Sequence, residues 1–275
     1  MNTQATAGFS VEGVSFSYGK GQILAGIDLE VRQGEFLCLL GPSGSGKTTL
    51  QRLLAGLETP EQGQITWKGD LITGPSSERG MVFQDYSLFP WLNLADNIAM
   101  ALEKSAPELS RKERLEIASD YLASVGLAGT SKQYPFQLSG GMQQRAAIAR
   151  ALALSSTALL LDEPFGALDP LNRAKLQDLL TEIWSKASPR KTVVFVTHDV
   201  EEAIYIADRV VVLGASPGRI IGEVKVPFLR PRHRRDILRS PEFHRLQEEI
   251  SNYYHSDVLE HIEEVGAVHG DGEGI

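Results

Sequence analysis

The sequence has no basis for a disulfide framework: its one cysteine, Cys38, lies inside an apolar run. That excludes the small cross-linked folds of oxidising compartments and fits a reducing one. No apolar run approaches the roughly 18 residues needed to span a bilayer. The start, Met1 to Ser10, is polar and small, without the basic residues and apolar stretch of a signal peptide. The chain is therefore expected to be soluble by itself, with any membrane role supplied by a partner. A basic surplus is missing too. The net charge is −8, which argues against sequence-independent binding of nucleic acid. No internal repeat is visible. What is present is bulk: 275 residues, 42% hydrophobic, enough for a sizeable core in one large domain or two unequal lobes.

Phe9 to Tyr18 and Ile23 to Val31 alternate apolar and polar residues, with turn glycines between them, which predicts antiparallel β-structure. Phe36 to Leu40 is continuously apolar and ends at Gly41, as a buried parallel strand does. Thr48 to Leu54 reads as a helix closed by Gly56. Gly63 to Lys68 and Met81 to Gln84 read as further strands. The middle changes character. Ser110 and Glu113 form a capping box, with Leu115, Ala118, Leu122 and Val125 at helical spacing and Gly126 as the stop. Ser139 opens another helix, with Met142, Ala146 and Ala149 on one face. Leu92 to about Leu154 is thus a helical insert. The α/β pattern then resumes. Strands are expected at Ala158 to Leu161, Thr192 to Val196, Val210 to Leu213 and Arg219 to Val226. Helices are expected after Asp169-Pro170, Asp199 and Ser240-Pro241, the last with Phe243, Leu246 and Ile250 inward. The basic run Arg230 to Arg235 reads as a solvated charged loop, with a face toward anionic lipid as the alternative, and the Gly-rich tail from Gly266 as loose.

"GPSGSGKTT", Gly41 to Thr49, fits G-x-x-x-x-G-K-[ST], directly after an apolar strand and at a helix start. Glycines let backbone N–H groups converge on phosphate oxygens, and the helix terminus adds partial positive charge. Lys47 would reach the outer phosphates, and the Thr48 hydroxyl can ligate Mg²⁺. Gly41, Ser43, Gly44, Gly46, Lys47, Thr48 and Thr49 are therefore the candidate ATP contacts. "ALLLDEP", Ala158 to Pro164, ends an apolar strand in two acids. Asp162 can hold Mg²⁺, directly or through water. Glu163 points the other way along the strand and can act as general base on the attacking water.

A third stretch, "QLSGGMQQR", Gln137 to Arg145, has no acid, nucleophile or metal ligand. Ser139 as N-cap leaves the amides of Gly140 and Gly141 exposed at a helix start, a ready anion site. Together "GPSGSGKTT", "LSGGMQQR" and "LLLDEP" resemble the ATP-binding subunits of ABC transporters, over nearly the whole chain. The resemblance implies a P-loop NTPase core of α/β class with a mixed sheet, an N-terminal antiparallel β subdomain and an inserted helical subdomain. The ATPase domain would cover 9–250, with 251–275 a partly loose C-terminal extension. The resemblance also assigns roles. Tyr18 stacks on adenine, unless it is a strand-core tyrosine. Gln84, in "VFQDYSLFP", touches Mg²⁺ and water. His198, in "FVTHD", contacts the γ-phosphate. Ser139, Gly140, Gly141 and Asp169 act on the nucleotide of a second subunit, although Asp169 also suits a helix cap. Tyr86, Leu88, Phe89 and Trp91 form the surface that receives a helix of the membrane subunit, with core packing the alternative for each.

"GASPGRI", Gly214 to Ile220, and "RPRHRRDILRSPEFHRLQEEI" resemble importers of the nitrate, sulfonate and taurine group. The implied protein is an ATP hydrolase on the cytoplasmic face of the cell membrane. It would use ATP and Mg²⁺, pair with a second copy or close paralogue, and dock on two transmembrane permease subunits fed by an extracytoplasmic binding protein. The alternatives are an exporter ATPase, a non-transport ABC ATPase working on nucleic acid or ribosomes, and a P-loop kinase. The chain lacks the long coiled coil of the DNA-repair relatives and the second ATPase half of the translation-factor relatives.

Overall fold

The computed structural model describes residues 7–83, 88–166, 168–214 and 217–270, with side chains described as far as Asp257. Two long strands open the chain, β1 (Ala7–Tyr18) and β2 (Gly21–Arg32), paired antiparallel with Val14 opposite Ile27. Next come β3 (Phe36–Leu40), α1 (Lys47–Ala55), β4 (Gln62–Trp67), β5 (Asp70–Leu71) and β6 (Arg79–Val82). The helical insert holds α2 (Leu94–Ser105), α3 (Arg111–Ser124) and α4 (Gly140–Ala153), all within the expected 92–154. The Ser110–Glu113 capping box is formed in both directions. The chain then alternates through β7 (Ala158–Asp162), α5 (Pro170–Lys186), β8 (Thr192–Thr197), α6 (Val200–Ile206), β9 (Arg209–Leu213) and β10 (Ile220–Lys225). It closes with α7 (Arg234–Leu238) and α8 (Pro241–Gly270).

The strands form two sheets. One is antiparallel, in the order β2-β1-β4-β5; the other runs β10-β9-β3-β8-β7-β6, parallel except at the β10–β9 edge. Every residue of β3, β7 and β8 is buried, because successive side chains enter different cores. Phe36, Cys38 and Leu40 join the insert, α5, α6 and α8 on one face. Leu37 and Leu39 join α1 and the antiparallel sheet on the other. The same alternation holds for Leu159/Leu161 against Leu160, and for Val193/Phe195 against Val194/Val196. A Leu→Ala change at such a position costs roughly 2–5 kcal/mol. The carboxyl ends of β3, β7 and β8 therefore project fixed points into one crevice, where ligands of open parallel sheets bind.

Three expectations need correction. The run Arg230 to Arg235 is only partly solvated: Pro231, His233 and Arg235 are exposed, whereas Arg230, Arg232 and Arg234 turn inward. The Arg230 guanidinium lies 4.5 Å from the Trp184 ring centroid and 5.7 Å from that of Phe36, and bonds Asp208 at 3.0 Å. The Arg232 side chain is 2% exposed and donates to the carbonyls of Tyr205 and Phe228. Burial, and then the charge of Arg230, pushes it down to about 9. Planar guanidiniums lie flat on rings and satisfy buried carbonyls, so the run packs where charge alone suggested solvent. The second correction is at the tail. α8 runs unbroken through the expected 250/251 boundary to Gly270, past the expected loosening at Gly266. Tyr253 and Tyr254 pack on the core, and Arg219 pairs with Asp257 at 2.7 Å. Third, the strand expected at Met81 to Gln84 lies earlier, at Arg79–Val82, where it pairs with β7; Gln84 is outside the described residues.

Candidate functional site

The loop Gly41–Gly46 joins the tip of β3 to α1, and its shape follows from its small residues. A Cβ on Gly41 would stand 2.5 Å from Ser45 Oγ and 2.9 Å from the Leu213 carbonyl. Gly46 has φ 82°, and a Cβ there would meet Leu24 at 2.5 Å. A side chain is therefore excluded at both ends of the loop, which lets its backbone N–H groups approach a ligand closely. Lys47 folds across the loop and donates to the carbonyls of Gly41 at 2.9 Å and Pro42 at 2.7 Å. Burial lowers its proton affinity, while Glu163 and Asp162 oppose that shift. A cleft of about 460 Å³ is lined by Ile23, Ser43, Gly44, Gly46, Lys47, Thr48, Thr49, Glu163 and His198.

Asp162 ends β7 and is 3% exposed. The Thr48 hydroxyl donates to its Oδ1 at 3.1 Å, which ties the first turn of α1 to the strand end. Burial raises the Asp162 pKa, the Thr48 bond opposes that, and Glu163 adds to it. Glu163, the next residue, has φ 44°. This left-handed conformation is strained for a non-glycine residue, by about 1–3 kcal/mol, and is held by its neighbours. The Glu163 N–H donates to the Val196 carbonyl at 3.1 Å, and its own carbonyl accepts from Gly166 at 3.1 Å. The carboxylate lies 3.4 Å from His198 Nδ1, in the turn after β8. Two acids adjacent in sequence thus take separate directions, one toward Thr48 and one toward His198.

Ser139 is the N-cap of α4, its Oγ accepting from Met142 N at 3.3 Å. As first residues of the helix, Gly140 and Gly141 have amides without an intrahelical acceptor. A Cβ on Gly141 would sit 3.0 Å from Leu168, so the position is tight. Asp169 caps α5, accepting from Asn172 N at 3.0 Å, and that bond holds its carboxyl below the ordinary value. Ser139, Gly140, Gly141 and Asp169 are not among the residues that line the cleft of their own chain. Tyr18 is 47% exposed on the antiparallel sheet, its ring set edge-on to Phe16. A strand-core place for Tyr18 is thereby ruled out. Trp91 is 70% exposed, with the Phe89 ring at 5.4 Å and the Arg150 guanidinium 5.3 Å from Phe89. Leu88 packs partly against the core. Gln84 and Tyr86 lie outside the described residues.

Sequence reasoning missed two glutamines. Gln51 is fully buried and donates to the carbonyls of Leu161 at 3.0 Å and Val194 at 2.8 Å, fixing α1 to β7 and β8. Gln144, 2% exposed, reaches the Glu163 carbonyl from α4 at 3.5 Å. Gln144 lies within the quoted "QLSGGMQQR", so its neighbourhood was marked but not its contact.

Comparison with known proteins bears on this geometry. The sequence pattern of the ABC transporter family matches residues 24–166. An uncharacterized ABC transporter ATP-binding protein of Methanocaldococcus jannaschii is 47% identical over 247 residues, covering 90% of each chain. The nitrate import ATP-binding protein NrtD of Synechococcus elongatus is 43% identical, over 89% of this chain and 90% of that one. The bicarbonate transport ATP-binding protein CmpC of the same organism is 49% identical over 82% of this chain and 34% of its own greater length. Among solved structures, the dimeric MJ0796, a bacterial ABC transporter cassette, superposes with TM-score 0.72 at 31% identity, over 80% of this chain and 100% of that one. The same cassette in a post-hydrolysis dimer bound to ADP and Pi gives TM-score 0.71.

Proposed function

The chain belongs to the ABC transporter family and is a nucleotide-binding ATP hydrolase; on that premise we propose that it powers an importer for a small anion. The observation that carries the chemistry is one cleft lined by Lys47, Thr48, Glu163 and His198, with Asp162 tied to Thr48 behind it. In this reading the Gly41–Thr49 loop binds the phosphates with its amides, and Lys47 leaves the loop carbonyls for the outer phosphates. Glu163 takes the proton of the attacking water, and His198 holds the γ-phosphate and orients Glu163. Tyr18 stacks on the adenine.

The donors around Thr48 fit Mg²⁺. They are all oxygen, and Asp162 is a buried carboxylate whose one described hydrogen bond comes from a neutral hydroxyl. Thr48 and Asp162 would hold the ion together with Gln84. When bound, it neutralises charge on the β- and γ-phosphates.

Ser139, Gly140, Gly141 and Asp169 serve the nucleotide of a second copy or a close paralogue. Their position outside the cleft of their own chain supports this, as do the dimers formed by the similar cassettes. Tyr86, Leu88, Phe89 and Trp91 receive a helix of one of the two transmembrane permease subunits, which bring the chain to the cytoplasmic face of the membrane; an extracytoplasmic binding protein delivers the cargo. No described helix is long and apolar enough to cross a membrane, so docking rests on that partner. The similarity to nitrate import and bicarbonate transport ATP-binding proteins supports a small inorganic anion as cargo. The test is reconstitution of the full chain with its permease subunits in vesicles. ATP-dependent uptake of labelled nitrate, bicarbonate or a sulfonate is expected. Outward flux, or ATP hydrolysis that no anion stimulates, would refute the importer reading.

A further inference from the structure

His198 stands on an unusually well-tied piece of backbone. Its side chain is 63% exposed, yet the residue before it, Thr197, is 2% exposed. The Thr197 hydroxyl accepts from Asp199 N at 3.0 Å, and Glu202 N, in the first turn of α6, donates to Asp199 Oδ1 at 3.1 Å. Glu202 is 7% exposed and accepts from Gln177 Nε2 at 2.6 Å. Gln177, 3% exposed, accepts at its other end from Arg234 at 2.6 Å. One turn earlier on the same face of α5, Arg173 lies 3.6 Å from Asp199 Oδ2. Two rungs, Arg173–Asp199 and Gln177–Glu202, thus fasten α5 to the turn that presents His198. A buried carboxylate is costly to desolvate, and burial raises the pKa of this one. A hydrophobic residue would hold α6 against α5 at less cost, so the carboxylate has a use beyond stability.

We propose that Glu202 and Gln177 are positioning residues for hydrolysis: they fix the Thr197–Asp199 backbone so that His198 presents its imidazole to Glu163. The proposal rests on the reading of His198 as part of the hydrolytic site. Asp169 caps α5 about two turns and 12 Å before Gln177. The same rungs therefore connect the helix end assigned to the second subunit with the turn that carries His198.

The test is ATP hydrolysis by the full chain, in steady state and single turnover. Glu202→Leu and Thr197→Val should each lower kcat by roughly ten- to a hundredfold, as small misplacements do, with KM for ATP unchanged. Thr197→Ser, which keeps the hydroxyl, should stay within about twofold of wild type. In a His198→Ala background, Glu202→Leu should cause no further loss, because its effect passes through that residue. An equal loss in both backgrounds, a change in KM instead of kcat, or a Thr197→Ser variant as slow as Thr197→Val overturns the proposal and leaves His198 in place. Full turnover by His198→Ala alone overturns the reading of His198 and the proposal with it. If Glu202→Leu melts early, the Val and Ser variants at Thr197 carry the test.

Discussion

Asp162 faces inward with one neutral donor, and that has a measurable cost. Its folded pKa is raised above the ordinary carboxylate value. Below the unfolded value, near pH 4, the group is protonated in both states and costs nothing. As pH rises through the window up to the raised folded value, the unfolded chain ionises first and stability falls. Above that window the loss is complete. Without nucleotide and Mg²⁺, Asp162→Asn should therefore be more stable than wild type near neutral pH, with the gap closing as pH falls to about 4. Denaturant melts across that range check it. Glu163→Gln keeps shape and hydrogen bonding but removes the base, so turnover should drop roughly 10²–10⁴-fold while ATP still binds; nucleotide titration beside a phosphate-release assay separates the two. At this scale the sequence was most readable where chemistry is contiguous. The phosphate loop and the Asp162–Glu163 pair are each unbroken strings whose order encodes geometry. Gln51 and Gln177 were not legible. A polar residue on a helix reads as a solvent face, and only the packing of α1 and α5 turns these two inward.

α1 is held at its base by Gln51, whose two hydrogen bonds reach different strands of the central sheet. Gln51→Leu keeps the volume and removes both donors, so it should lower stability by about 1–3 kcal/mol and loosen the loop that precedes the helix. A chemical melt and an ATP titration, taken together, would show both effects. α4 makes the opposite demand: its start must stay bare. Gly140→Asp sets a carboxylate at a helix terminus that, in the proposed function, meets phosphate. It should spare ATP binding by the single chain and block turnover; full turnover would reduce the stretch to a plain helix start. Elements were readable where pattern and burial agree, as in the continuously apolar β3, β7 and β8 and the capped α3. α7 and the far half of α8 were hidden. Their residues are basic, or acidic with glycine, and the rings of Trp184 and Tyr205 that receive Arg230 and Arg234 are far away in sequence.

For the whole molecule, the proposed function divides the nucleotide site between two chains: the loop and cleft of one, and the helix-start amides of Gly140 and Gly141 of the other, which do not line their own cleft. Association should therefore depend on nucleotide. Glu163→Gln with ATP and Mg²⁺ is expected to elute as a dimer, and the same chain without nucleotide, or with ADP, as a monomer. Light scattering coupled to size exclusion measures this, and a nucleotide-independent mass would contradict it. The topology bears on how such a molecule is made. β3 lies between β8 and β9, pairing Leu40 with Thr197 on one side and with Val212 on the other. A nascent chain emerging from the ribosome therefore carries the whole phosphate-loop sequence more than a hundred residues before either flanking strand exists. The loop cannot take its shape on a half-made subunit, so fragments truncated before β8 have the letters of an ATP site without the site. Competence for nucleotide therefore arrives late in synthesis, after the helical insert has been made.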